Sequence, residues 1–219
     1  MMVSLSLHRA LAALGFCFCF CCCDAAWTKA HQAGQEDSCQ LTDDTLGLDG
    51  AQLFAELSKK EINEVDLAGQ TAAHVAASEG HYSCMKAFAM QGLNLDRLNK
   101  YGHAAIHIAA EQGYAQVVRE LVQQGADVDC VTVVDDKHIP LTAANGGETA
   151  AWVAAAWNRG SVVKMLHTLG ADLDWPDNNG ILPETIAQER KNHKATKVFR
   201  DIASGVEVTV DDDDDDYYL

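Results

Sequence analysis

The sequence predicts an all-α solenoid of stacked helix pairs with β-turn tips and one hairpin-like insertion, and three observations carry that expectation. Glycines recur at a fixed interval: Gly69 to Gly102 spans 33 residues, and Gly147 to Gly180 spans 33 again. The text after each is the same in outline, GQTAAHVAASEGH, GHAAIHIAAEQGY, GETAAWVAAAWNRG and GILPETIAQ. Further glycines, Gly92, Gly125 and Gly170, each follow an opening glycine by 23 residues. One such unit is too small to bury its own apolar face. Neighbours must stack, and stacking produces an extended surface rather than an enclosed pocket.

Each unit opens on a turn, Asp66 to Gly69, Asn99 to Gly102 and Asp177 to Gly180, with Asp or Asn first and Gly last. Thr71 and Thr149 stand where a hydroxyl caps a first helix. The pairs Ala76-Ala77, Ala109-Ala110 and Ala154-Ala155 are small enough for close helix packing and keep helix propensity high. Gly80 and Gly113 end that helix in a left-handed conformation, and Asn158 takes the same place in the fourth unit. A second helix then shows an apolar stripe: Met85, Phe88 and Ala89, next Val118, Leu121 and Val122, next Val163 and Leu166. The exits run Leu93 to Asp96, Ala126 to Asp129 and Ala171 to Asp174. Glu61 to Asn63 matches that exit one period earlier, so a degenerate first unit caps the stack. Pro183 to Gly205, with polar and basic positions where inner units are apolar, reads as the closing cap.

A 33-residue period with a T-P-L-H-x-A-like core resembles the ankyrin repeat, over residues 46 to 205. Ala72, Ala105 and Ala150 replace the motif's proline, and Pro183 keeps it. The organisation expected is an apolar, Cys-rich N-terminal segment at 1–26, a linker at 27–45, and the repeat domain at 46–205. Its units are about 46–65 (partial), 66–98, 99–143, 144–176 and 177–205, followed by an acidic tail at 206–219.

The resemblance implies a non-enzymatic protein–protein interaction module, a scaffold or adaptor acting as a monomer. Its contacts would come from the turn tips and the exposed end of each first helix. Those positions are Leu67, Ala68, Gln70, Ser78 and Glu79, then Lys100, Tyr101, His103, Glu111 and Gln112. Asn145, Glu148, Ala156 and Trp157 come next, then Asn178, Asn179, Ile181, Glu189 and Arg190. Most are polar, as any solvated face is; Tyr101 and Trp157 stand out because aromatics are enriched in interface hot spots. Gly102 to Gly147 is 45 residues, 12 more than the period. The excess is placed at 131–143, where Val131 to Val134 and Ile139 to Thr142 flank Asp135 to His138. Two extended runs about a polar segment read as a hairpin, with Pro140 restricting one arm to an edge. Val133, Asp135, Asp136, Lys137 and His138, with Tyr101 and Trp157, are expected to make the main partner contact.

A net charge of −16 argues against nucleic-acid binding, which needs a basic footprint. Part of that charge is Asp211 to Asp216, a run that repels itself and either solubilises the chain or attracts basic partners. Ala10 to Cys23 is an uncharged apolar run behind His8 and Arg9. It fits a secretory signal peptide; equally, Cys17, Cys19, Cys21, Cys22 and Cys23 fit S-acylation as a membrane tether. CFCFCCC is not a zinc spacing. Outside that group only Cys39, Cys84 and Cys130 remain, an odd number and poor material for a disulfide framework. Cys84 reads as a buried free thiol, which inclines the location to the cytoplasm, tethered through the N-terminal segment. Secretion is the alternative, and there Tyr217 and Tyr218 beside the aspartates would suit sulfation.

No catalytic or cofactor motif stands out in the text, and an enzyme whose site is assembled across several units is the remaining alternative. His74 and His107 occupy the repeat's own histidine position, where the ring braces the turn. His138, His167 and His193 have no carboxylate or cysteine at ligand spacing. A phosphate loop, a nucleophile elbow and a His-Glu-x-x-His are all missing from the sequence.

Overall fold

The computed structural model describes residues 63–90, 92–133 and 146–206. The N-terminal segment with its five clustered cysteines, most of the first unit, the body of the insertion and the acidic tail lie outside these residues. Among the described residues the chain forms eight helices in four pairs. The first helices are α1 (Ala72–Glu79), α3 (Ala105–Gln112), α5 (Ala150–Ala156) and α7 (Pro183–Glu189). The second are α2 (Ser83–Met90), α4 (Ala115–Gln123), α6 (Gly160–Thr168) and α8 (His193–Ala203). Contacts run α1–α3–α5–α7 in one layer and α2–α4–α6–α8 in the other, with each pair packed internally. This is the all-α repeat solenoid the register predicts.

The first-helix layer packs closely because its buried surface is mostly alanine: Ala76, Ala77, Ala109, Ala110, Ala154 and Ala155 are all fully buried. Bulk comes from the second helices, through Met85, Phe88, Val117, Val118, Leu121, Val163, Met165 and Leu166. The cap continues this core with Ile186, Ala187, Ala195, Val198 and Phe199.

Three hydrogen-bond devices lock one unit to the next. At the exits, a side chain of one unit accepts from the backbone of its successor. Asn63 Oδ1 accepts from Asn94 N–H (3.2 Å), Asp96 Oδ1 from Asp127 N–H (2.9 Å), and Asp129 Oδ1 from Asp172 N–H (2.9 Å). At the tips, backbone bonds step from turn to turn: Lys100 N–H to Ala68 O, Val133 N–H to Gly102 O, and Asn178 N–H to Gly146 O. The third device is a clasp from each first helix. His74 Nδ1 accepts from Thr71 N–H, which leaves Nε2 to carry the proton and donate to His103 O at 3.0 Å. His107 repeats this, accepting from Ala104 N–H and donating to Cys130 O (2.9 Å) and Glu148 O (3.1 Å). In the fourth unit Trp152 holds the histidine's place, and its indole Nε1–H donates to Ile181 O at 3.1 Å. So the motif histidines brace the neighbouring unit as well as their own turn.

Asn158 sits at φ 60° in the left-handed region, as its alignment with Gly80 and Gly113 predicts. It does more than a glycine would. Its Oδ1 accepts from Lys194 N–H (2.9 Å) and Ala195 N–H (3.3 Å), two donors left open at the start of α8.

Cys84 corrects the sequence reading. It is fully buried but disulfide-bonded, not a free thiol, and its partner lies outside the described residues. An odd number of cysteines beyond the N-terminal cluster does not prevent one from pairing. Cys130 is free and half-buried, and burial, with Asp96 and Asp127 nearby, pushes its thiol up to about 11. It is therefore inert at neutral pH.

Candidate functional site

The turn tips form a single row along one edge of the stack, and the insertion grows out of that row. Asp66 Oδ1 accepts from Gln70 N–H (2.7 Å), Asn99 Oδ1 from His103 N–H (3.1 Å), and Asp177 Oδ1 from Ile181 N–H (2.7 Å). Thr132 takes the same role with its hydroxyl, accepting from Glu148 N–H at 3.0 Å. Thr132 N–H donates back to Glu148 O (2.9 Å), and Val131 bridges Thr149 in antiparallel fashion. Residues 133–146 thus replace the two-residue tip found in the other turns. The sequence placed the insertion at 131–143; the structure starts it two residues later and ends it three later, because a threonine stands where Asp or Asn was expected. Asn145, assigned to the tip of the fourth unit, belongs to the insertion. It lies outside the described residues, as do Asp135, Asp136, Lys137 and His138.

The root of the insertion is held on both sides. Val133 hydrogen-bonds Gly102 of the preceding tip, and Gly146 accepts from Asn178 of the following one. Gly102 has φ +76°, and a Cβ there would run into the carbonyl of Val133, so only glycine allows this approach. The root is therefore continuous with the row of tips on either side of it.

Three apolar side chains stand exposed along the row: Leu67 at 72%, Tyr101 at 48% and Val133 at 53%. Lys100 lies among them, and its Nζ donates to Leu67 O. His103 is half-buried behind Tyr101, edge-on to His107 with ring centroids 6.0 Å apart, and burial pushes its pKa down. Asn178 and Asn179 are exposed at the last described tip.

A second line runs along the far ends of the first helices. Glu79, Gln112, Trp157, Glu189 and Arg190 are exposed there, and Glu111 is half-buried. Burial raises the Glu111 carboxyl, and nearby Arg159 opposes that rise; Arg159 Nε donates to Glu111 O at 2.9 Å. Arg190 donates to Ala156 O and lies 6.0 Å over the Trp152 ring. Helices of seven or eight residues set this line about 11 Å from the tips. Trp157 closes α5 at the end opposite Thr149, so it does not sit under the root of the insertion. Tyr101 is the aromatic beside that root.

Glu148 is the main departure from the sequence reading. It was placed on the exposed face, but the structure leaves it 3% exposed. Its turn is enclosed by Thr132 on one side and by the Asp177 unit on the other. Oε1 has no hydrogen-bond partner. Burial first and the Asp177 charge second raise its carboxyl to about 7, against the pull of Arg190. It acts within the joint, not on the face.

Among the described residues no group of histidine, cysteine and carboxylate side chains could hold a metal ion. Nor is any described helix long and apolar enough to cross a membrane. Sequence reasoning placed Leu67 at a turn tip without singling out its apolar side chain, and it missed Trp152 as a clasp. Both could have been found from register, since Leu67 aligns with Lys100 and Trp152 with His74 and His107.

Compared with known proteins, residues 46–132 match the family model for ankyrin repeats in three copies. No curated protein matches the chain.

Proposed function

We infer that this chain, which belongs to the ankyrin repeat family, binds a protein partner along the row of turn tips, centred on the root of the insertion. Ankyrin repeats are protein–protein interaction modules, and the finer assignment rests on one observation. The insertion is built into the tip row and bonded to both neighbouring turns, with Leu67, Tyr101 and Val133 exposed beside it. Exposed apolar groups, an aromatic ring among them, are the kind of centre that interface hot spots use. The reading is non-enzymatic, with a single chain as the binding unit.

The test uses the full chain immobilised as bait, beside two altered forms. One replaces residues 133–146 by a two-residue tip, and the other carries Tyr101→Ala with Val133→Asp. A control, Met90→Asp, alters an exposed residue of α2. Partners held by the unaltered chain and by the control should bind at least tenfold more weakly to both altered forms, about 1.4 kcal/mol. Equal affinity across all four would sink the assignment.

A second reading concerns location, and Cys84 favours it. Disulfides persist in oxidising compartments, so the bond at Cys84 supports the secreted alternative over the cytoplasmic, acyl-tethered one. The N-terminal residue of the mature protein separates them. A start near Trp27 supports secretion, whereas an intact terminus acylated on Cys17, Cys19, Cys21, Cys22 or Cys23 supports the tether.

A further inference from the structure

The closing unit gathers basic charge on its outer side. Of the chain's 16 lysines and arginines, five fall between residues 190 and 200: Arg190, Lys191, Lys194, Lys197 and Arg200. All five are exposed. Helix α8 buries Ala195, Val198 and Phe199 on its inner side. Lys194, Lys197 and Arg200, three residues apart, share the opposite side. Only Glu189 and Asp201 bring negative charge to residues 189–201. A closing repeat needs a polar outer face for solubility, but a mixture of charges would serve. Here one sign dominates, within a chain whose net charge is −16.

The compensating charge lies on the same chain. The six aspartates begin at Asp211, five residues beyond Val206, the last described residue. Five residues reach at most about 17 Å, and the 11 residues of α8 extend about 16 Å. The run can therefore lie back along the whole basic side of the helix that precedes it. A tether this short holds the aspartates at an effective concentration in the millimolar range.

We propose that the basic side of α8, with Arg190 and Lys191, is the docking surface of the chain's own aspartate run, residues 211–216. The contact is electrostatic and exposed, so salt weakens it, since charges are screened within about 10 Å at 0.1 M ionic strength. Docked, the run masks the basic side from other anionic surfaces. An anionic partner must first displace it.

The test follows backbone amide resonances of the full chain and of a form with all six aspartates replaced by asparagine. Spectra are taken in 50 mM and 500 mM salt, at protein concentrations of 20 µM and 400 µM. Docking predicts shift changes concentrated in residues 190–203 when the aspartates are neutralised. The same changes should appear in the unaltered chain at high salt, and they should be independent of protein concentration. The Lys197→Gln, Arg200→Gln form should lose most of the salt response. Three results overturn the proposal: no change at residues 190–203; changes that grow with protein concentration, which make a second copy the occupant; or changes that need added phosphatidylserine vesicles, which make a membrane the occupant. The salt series on the unaltered chain reads the contact without any substitution, so a misfolded variant does not leave the question open.

Discussion

Glu148→Gln tests the reading of the fourth joint most directly. The carboxyl is 3% exposed with Oε1 unpartnered, and burial beside Asp177 raises it to about 7 from an ordinary 4.5. A folded-state value above the unfolded one means that the protonated acid favours folding. That contribution is complete below pH 4.5 and is lost as pH rises through about 7. A shift of this size corresponds to about 3 kcal/mol, and screening by nearby solvent brings the expectation to about 2 kcal/mol. Glutamine keeps the shape and never ionises. The variant should therefore exceed the parent by about 2 kcal/mol at pH 8 and by less than about 1 kcal/mol at pH 5. Urea unfolding followed by far-ultraviolet circular dichroism at the two pH values measures this. A gap equal at both pH values would show that ionisation of Glu148 is not what destabilises the joint. A glutamine form weaker than the parent at pH 8 would refute the reasoning outright.

Four further outcomes are expected. His74 and His107 are held at about 4, so they favour folding above pH 6.5 and lose that contribution as pH falls towards 4. In the Glu148→Gln background, stability should drop by about 4 kcal/mol between pH 7 and pH 5; a flat profile in urea titrations would contradict the neutral clasp. Asn158→Gly should cost about 1–2 kcal/mol although glycine suits the backbone, because two amides at the start of α8 lose their acceptor, and Asn158→Asp should retain most of the stability. Gly113→Val, at φ +96° with Arg159 beside it, should still cost more than Asn158→Gly in thermal melts. Gly102→Ala should lower stability by more than about 2 kcal/mol, combining left-handed strain with a collision at the root of the insertion, and hydrogen exchange at Val133 should rise with it.

The repeat register was legible because its determinants are local. A turn that begins with Asp or Asn and ends with Gly, and a helix end that needs the left-handed region, are readable from a few neighbouring residues. Asn158 was read correctly on those grounds. Its second task was not readable, because the amides it caps lie 36 and 37 residues away. Glu148 failed for a related reason. Its counterparts Gln70, His103 and Ile181 are only half-buried, and nothing within its own unit says that Thr132 and Asp177 enclose it. The tip row itself was legible, since tips follow from the turn residues. The exact entry point of the insertion was not, because a hydroxyl replaced the carboxylate or amide that marks the other turns.

The clasps also give the stack a direction. Two successive joints close through imidazoles that must stay neutral, whereas the next closes through an indole, which has no proton to gain in this range. In a linear array each unit leans only on its neighbours, so a drop in pH acts on one end first. Acid should unzip the array from the His74 side and halt at the Trp152 joint, leaving the C-terminal pairs standing. The His107 bond to Glu148 O is the boundary, and it lies beside the Thr132–Glu148 pairing that anchors the insertion. The insertion would thus lose its footing on one flank while keeping it on the other.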